Sequence, residues 1–192
     1  MFRAPVSVMT KTRTNLLPIL SLLLLPPLIG CTGAPIINTT SYETGYAPGS
    51  PPPVVPVIVR GEPFPAPTPD LSATVAGAMQ GATFGPVSFI PEAPNAPRTV
   101  DRVVVLFNPP GNAADQFLCA SLGSLTPRPP AAPGSRIPLS AALCRGDVAL
   151  TAADGMLAAA AGPQDPAFRN GLAQFSLALF PGYNPNFQFD HD

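Results

Sequence analysis

Apolar positions fall along this chain in short runs separated by proline-rich stretches, and the period inside each run predicts its element. The strongest run is Val100 to Phe107, where Val103, Val104, Val105, Leu106 and Phe107 are consecutive. Unbroken β-branched and apolar character suits a strand buried on both faces, so this segment predicts the centre of a sheet. Asn108-Pro109-Pro110-Gly111 stops it. Asn112 then stands as an N-cap with Asp115 in the first turn, predicting a helix that turns Phe117, Leu118 and Leu122 inward and ends at Gly123. Ile137, Leu139, Ala141 and Leu143 alternate with smaller or polar residues, the period of a half-buried strand in spite of Pro138. Thr83 to Ile90 predicts another strand, with Gly85-Pro86 marking a bend or an edge position.

Two segments carry a helical period instead. Leu71, Val75 and Met79 share one face behind Asp70, which is placed to cap. Phe168, Leu172, Phe175 and Leu179 form a longer stripe behind Asp165 as N-cap and Pro166 at the first helical position, closed by Pro181-Gly182. Val148 to Ala161 admits two readings: Asp154-Gly155 turns a hairpin, or Thr151 with Asp154 caps a short Ala-rich helix. Together these elements predict a small α+β domain over residues 70–183. It has three or four strands with two or three helices packed on one face, Val103–Phe107 central and covered by the Phe168–Leu179 helix. Residues 184–192 read as a flexible tail.

Composition changes the picture of what precedes this domain. The 192 residues include 29 prolines and no Trp, and only 11% are charged. Ten of the prolines lie between Thr32 and Pro69, including Pro51-Pro52-Pro53 and the alternating Pro63, Pro65, Pro67 and Pro69. Residues 31–69 therefore read as a disordered tether that favours polyproline II at about 3.1 Å per residue, long enough to reach ~120 Å. Val54, Val55, Val57, Ile58 and Val59 interrupt it with a β-like patch, and Pro53-Val54-Val55-Pro56 has the form of a ligand for an aromatic groove, though a spacer is the plainer explanation.

The first thirty residues are a separate case. Arg3, Lys11 and Arg13 precede a run from Leu16 to Leu28 that is nearly all Leu, Ile and Pro, the layout of a secretory signal. That run is too short for the ~20 residues needed to cross a bilayer, and Pro18, Pro26 and Pro27 interrupt it. It closes on Leu28-Ile29-Gly30-Cys31, which resembles the lipobox of bacterial lipoproteins. The resemblance implies cleavage between Gly30 and Cys31, alkylation of the Cys31 thiol by a diacylglycerol, acylation of the new amine, often with palmitate, and a stable membrane anchor. Thr32, where Asp would hold a Gram-negative lipoprotein at the inner membrane, resembles the outer-membrane sorting pattern and implies a domain facing the periplasm. Without residues 1–30, seven arginines face eleven acidic groups, a formal charge of −4 with no lysine. That balance provides no basic stripe for nucleic acid.

Export also bears on the other cysteines. Cys119 and Cys144 form an even pair in an oxidising compartment, which predicts a disulfide between the helix after the central strand and the next strand, with free thiols or a redox pair as the alternatives. Catalytic parts are few. His191 is the only histidine and stands between Asp190 and Asp192 near the terminus, so a Ser–His–Asp triad and a multi-His zinc site both lack members. Arg145-Gly146-Asp147 spells an adhesion tripeptide but reads as a turn. Asp101, Asp115, Asp147 and Asp154 sit near element ends without a spacing that pairs two of them. No metal or cofactor is expected. The leading expectation is a non-enzymatic lipoprotein of the cell envelope, bound to membrane lipid through Cys31 and to another envelope protein or cell-wall component. The alternatives are a hydrolase with paired carboxylates, which needs two acids in one cleft, and a carrier of lipid or small apolar ligands, which needs an enclosed Phe- and Leu-lined cavity.

Overall fold

The computed structural model describes residues 34–42, 52–92, 101–111 and 115–183, all within the unit Cys31–Asp192. The signal segment, Cys31, Asn112, the tail and His191 lie outside the described residues, as do the side chains of Asp115 and Gln116. Strands β1 (Ile36–Tyr42), β2 (Val54–Arg60), β3 (Ser88–Pro91), β4 (Asp101–Phe107), β5 (Ile137–Arg145) and β6 (Val148–Leu157) form one sheet in the order β1-β6-β5-β4-β2-β3. β2 is parallel to β3 and to β4, and the remaining pairs are antiparallel. Helices α1 (Leu71–Met79), α2 (Asp115–Ala120) and α3 (Pro166–Leu179), with a 3₁₀ turn at Leu122–Ser124, complete an α+β fold.

The predicted central strand holds. β4 is interior, with Val103, Val105 and Phe107 in one apolar layer and Val104 and Leu106 in the other. The two faces are covered unequally. α1 and α3 pack on the larger layer, while α2 lies on the opposite face with Leu118, Cys119 and Leu122 against Ile58, Val104, Ala142 and Ala152. The sequence expectation of helices packed on one face is thus met by α1 and α3 but not by α2; the alternation that buries both sides of β4 demands a cover on each. α3 lies mainly against β6 and α1, and reaches β4 through Phe168, whose ring stacks on Phe107 at 5.8 Å.

The strand count is six instead of three or four, and two of the strands come from the stretch expected to be a tether. β2 is interior, and β1 forms an edge. Proline did not prevent this. Pro56 lies in the part of β2 registered with β3, and pairing with β4 starts at Val57, so its missing N–H falls ahead of that ladder. The sheet therefore begins at Ile36, well before the expected domain start at Asp70.

Residues 148–161 are neither a hairpin about Asp154-Gly155 nor a helix. β6 runs through Asp154 and Gly155, and the hairpin turn is Gly146-Asp147, with Arg145 paired to Val148. Gly146 takes φ +59 at the first turn position, as a type II′ turn requires. A bulge brings Leu150 and Thr151 to the same face, so the alternation is broken and the strand is hard to read from its pattern. Gly155 is required for another reason: a Cβ there would collide with the Ile36 carbonyl oxygen and come within 3.1 Å of the Ile37 Cα on β1.

Both long helical stripes are confirmed. Leu71, Val75 and Met79 are buried along α1, and Phe168, Leu172, Phe175 and Leu179 along α3. Asp165 caps α3 by accepting from the Ala167 N–H at 2.9 Å. Asp70 occupies the N-cap position of α1 but makes no side-chain cap; it takes the left-handed conformation (φ 51) and only its carbonyl joins the helix, accepting from Thr74. β3 is an edge strand, as Gly85-Pro86 suggests, and Phe84, ahead of it, is 70% exposed. Phe117 is also turned outward, leaving Leu118 and Cys119 as the buried pair of α2.

Candidate functional site

One end of the sheet carries an open apolar groove of about 570 Å³. This is the end at which β2 and β4 finish, β5 starts and β6 finishes. Its floor is Phe64 and Ile137, and its walls are Pro63–Ala66, Ala131–Ser135 and Ala159–Ala161. Each wall has a local cause. Just past β2 comes Gly61 (φ +80), where a Cβ would meet the Phe107 carbonyl; the chain turns there and drops Phe64 onto the core against Phe168, at 5.1 Å between rings. Ala132-Pro133-Gly134-Ser135 is a type II turn, with Pro second, Gly134 at φ +80 and the Ser135 N–H donating to the Ala132 carbonyl at 3.0 Å.

Two polar residues hold these walls in place. Asn108 is buried and left-handed (φ 51) just past β4; its Nδ2 donates to the Glu62 carbonyl at 2.6 Å, and its own carbonyl accepts from the Arg128 N–H at 2.7 Å. It therefore pins the Pro63 wall and the loop leading to the Ala131 wall. Asp165 holds the third. Its second oxygen accepts from the Ala161 N–H at 2.9 Å while the first caps α3. These bonds, from Ala161 first and Ala167 next, keep its carboxyl below the ordinary value of 3.8. No titratable side chain lines the groove itself. It can bury apolar surface, at about 25 cal/mol per Å², but has no group to move a proton.

The other candidates are dispersed. Asp101 accepts a two-pronged ion pair from Arg145, both contacts at 2.8 Å, across the β4–β5 ladder; that bond and the Asp101 charge raise the Arg145 pKa. Asp147 is in the hairpin turn, and Asp154 lies within β6. Arg145-Gly146-Asp147 is thus a turn whose arginine is already paired. Glu62 and Asp70 do share a smaller concavity of about 390 Å³ beside the start of α1, but the Glu62 carboxylate accepts from the Thr68 N–H and serves the loop. Among the described residues, no group of three or more His, Cys, Asp or Glu is placed to hold a metal. The groove is open and lined mainly by Pro and Ala, with Phe64 and Ile137 at its floor. No helix among the described residues is long and apolar enough to cross a membrane.

Cys119 and Cys144 form a disulfide that ties α2 to β5. Beside it, Arg102 is 2% exposed and donates Nη2 to the Cys119 carbonyl at 3.1 Å. Arg102 and Asn108 are the structural residues that sequence reasoning missed. Arg102 interrupts no pattern because it flanks the apolar run, and Asn108 reads as an ordinary strand stop. The Pro63–Ala66 wall was hidden inside the expected tether. Comparison with known proteins gives no match: no family model, no curated protein and no solved structure shows significant similarity to this chain.

Proposed function

We propose that this chain is a lipid-anchored protein of the bacterial cell envelope, held through an acylated Cys31, whose folded domain has a non-enzymatic structural or protein-binding role. The observation that carries the reading is Leu28-Ile29-Gly30-Cys31 at the close of a basic-then-apolar leader. The Cys119–Cys144 disulfide agrees with it, because such bonds persist in oxidising compartments outside the cytosol. A groove without titratable groups favours binding over catalysis. Thr32 favours the outer membrane, with the domain in the periplasm and another envelope protein or cell-wall component as partner.

Metabolic labelling with an alkyne-bearing palmitate analogue tests the anchor. The wild type incorporates label and migrates as the cleaved chain, whereas Cys31→Ala does neither. Equal incorporation by both chains overturns the lipoprotein reading.

A further inference from the structure

We infer that the groove end of the domain rests on the bilayer that holds the anchor, with a phospholipid surface as its partner. The inference depends on the lipoprotein reading, and covalent geometry carries it beyond that reading. β1 begins at Ile36, five residues after Cys31, so the chain between them spans at most about 18 Å. The expected ~120 Å tether is thereby reduced to a short strap, because the sheet has taken up the residues that would have formed it.

The strap leads to one particular end of the sheet. Ile36 pairs with Met156 near the end of β6, and β6 runs on into the Ala159–Ala161 wall of the groove. Ile36 is 52% exposed and Met156 41%, an apolar cross-strand pair turned to solvent where β1 begins. The groove stands at the same end of the sheet, with its floor residues Phe64 and Ile137 in the layer opposite this pair. Ala66, Ala132 and Pro133 on the groove walls are exposed and uncharged. Apolar side chains exposed at one end form a surface that a lipid interface can take up. The strap holds it within reach of the lipid interface, where apolar surface settles about 5–10 Å deep. The acidic groups nearest the walls are held by backbone N–H groups, Asp165 by Ala161 and Ala167 and Glu62 by Thr68, while the Asp101–Arg145 pair is at the other end, beside the Gly146-Asp147 turn. β6 separates the two ends by about 30 Å.

The absence of Trp from the chain provides a clean probe. Single Trp residues are introduced at exposed positions in the mature, acylated protein, Ala132→Trp at the groove end and Val148→Trp at the hairpin end. Each protein is reconstituted in phosphatidylethanolamine/phosphatidylglycerol vesicles with and without acyl-chain bromination, and intact mass reports acylation of Cys31. The expected result is quenching of Ala132→Trp by about twofold in brominated vesicles, no change for Val148→Trp, and loss of the quenching when Ile36→Glu and Met156→Glu are added. Equal, weak quenching at both positions in an acylated protein overturns the orientation and leaves the anchor standing. An unacylated Cys31 overturns both. Weak quenching of Ala132→Trp in vesicles, with the same residue shielded in whole cells, assigns this face to a protein and also overturns the proposal.

Discussion

Removing the Cys119–Cys144 disulfide should cost this domain a large share of its stability. The bond joins residues 25 apart, and both cysteines are fully buried between α2 and the sheet. The chain-entropy relation for a closed loop of this size gives about 3.5 kcal/mol at 25 °C. Against a total of about 5–15 kcal/mol for a natural domain, that is a quarter or more of the margin. The structure explains why little compensates. α2 has six residues, too few to be stable alone, and the layer it covers is the smaller of the two. Arg102 of β4 also ties α2 to the sheet through its bond to the Cys119 carbonyl, and that bond depends on the same helix staying in place. The Cys119→Ala/Cys144→Ala variant should therefore unfold about 3–4 kcal/mol more easily in urea and melt about 10 °C lower, followed by far-ultraviolet circular dichroism. A thiol reductant should lower the wild-type midpoint towards that of the variant and leave the variant unmoved. A double variant within about 1 kcal/mol of wild type would refute the reasoning, because the loop would then be constrained without the bond.

Three further outcomes are expected. Asp165 has its pKa lowered in the fold, so its contribution is present above the ordinary value of 3.8 and is lost as pH falls below it. The stability gap between wild type and Asp165→Ala, read from urea midpoints, should be full near pH 6 and narrow as the pH drops through that range. Gly155→Ala places a methyl against the Ile36 carbonyl and should cost about 1–3 kcal/mol while releasing hydrogen-exchange protection in β1; unchanged protection there would count against the close approach. Ser176 is fully buried on α3 and its hydroxyl has no hydrogen-bond partner among the described residues, so Ser176→Ala should stabilise by about 1 kcal/mol in the same urea assay.

The elements that could be read along the chain are those whose pattern is local. Val103–Phe107 is apolar at every position because both faces are covered, and that is visible without any partner. The α3 stripe, its Asp165 cap and Pro166 all lie within one stretch of sequence, so the period, the start and the stop agree. The Cys119–Cys144 pair was legible because, with Cys31 assigned to the anchor, two cysteines remain.

Tertiary structure alone decided the rest, and the reason is sheet pairing. Whether Val54–Arg60 is a spacer or an interior strand depends on β3 and β4 lying alongside it, and Pro56 is tolerated only because its place in the register precedes the β4 ladder. Gly155 reads as a turn residue until β1 is known to pass against it, and the phase of β6 is concealed by its bulge. The groove has the same origin. Its three walls come from loops nearly a hundred residues apart, joined by the Asn108 and Asp165 side chains, and no window of sequence contains them together. The proposed address rests on the leader and Cys31 in the sequence alone, since the machinery that reads such a motif meets it as a linear peptide. The orientation proposed for the domain rests instead on where β1 enters the sheet, which only the pairing of Ile36 with Met156 decides.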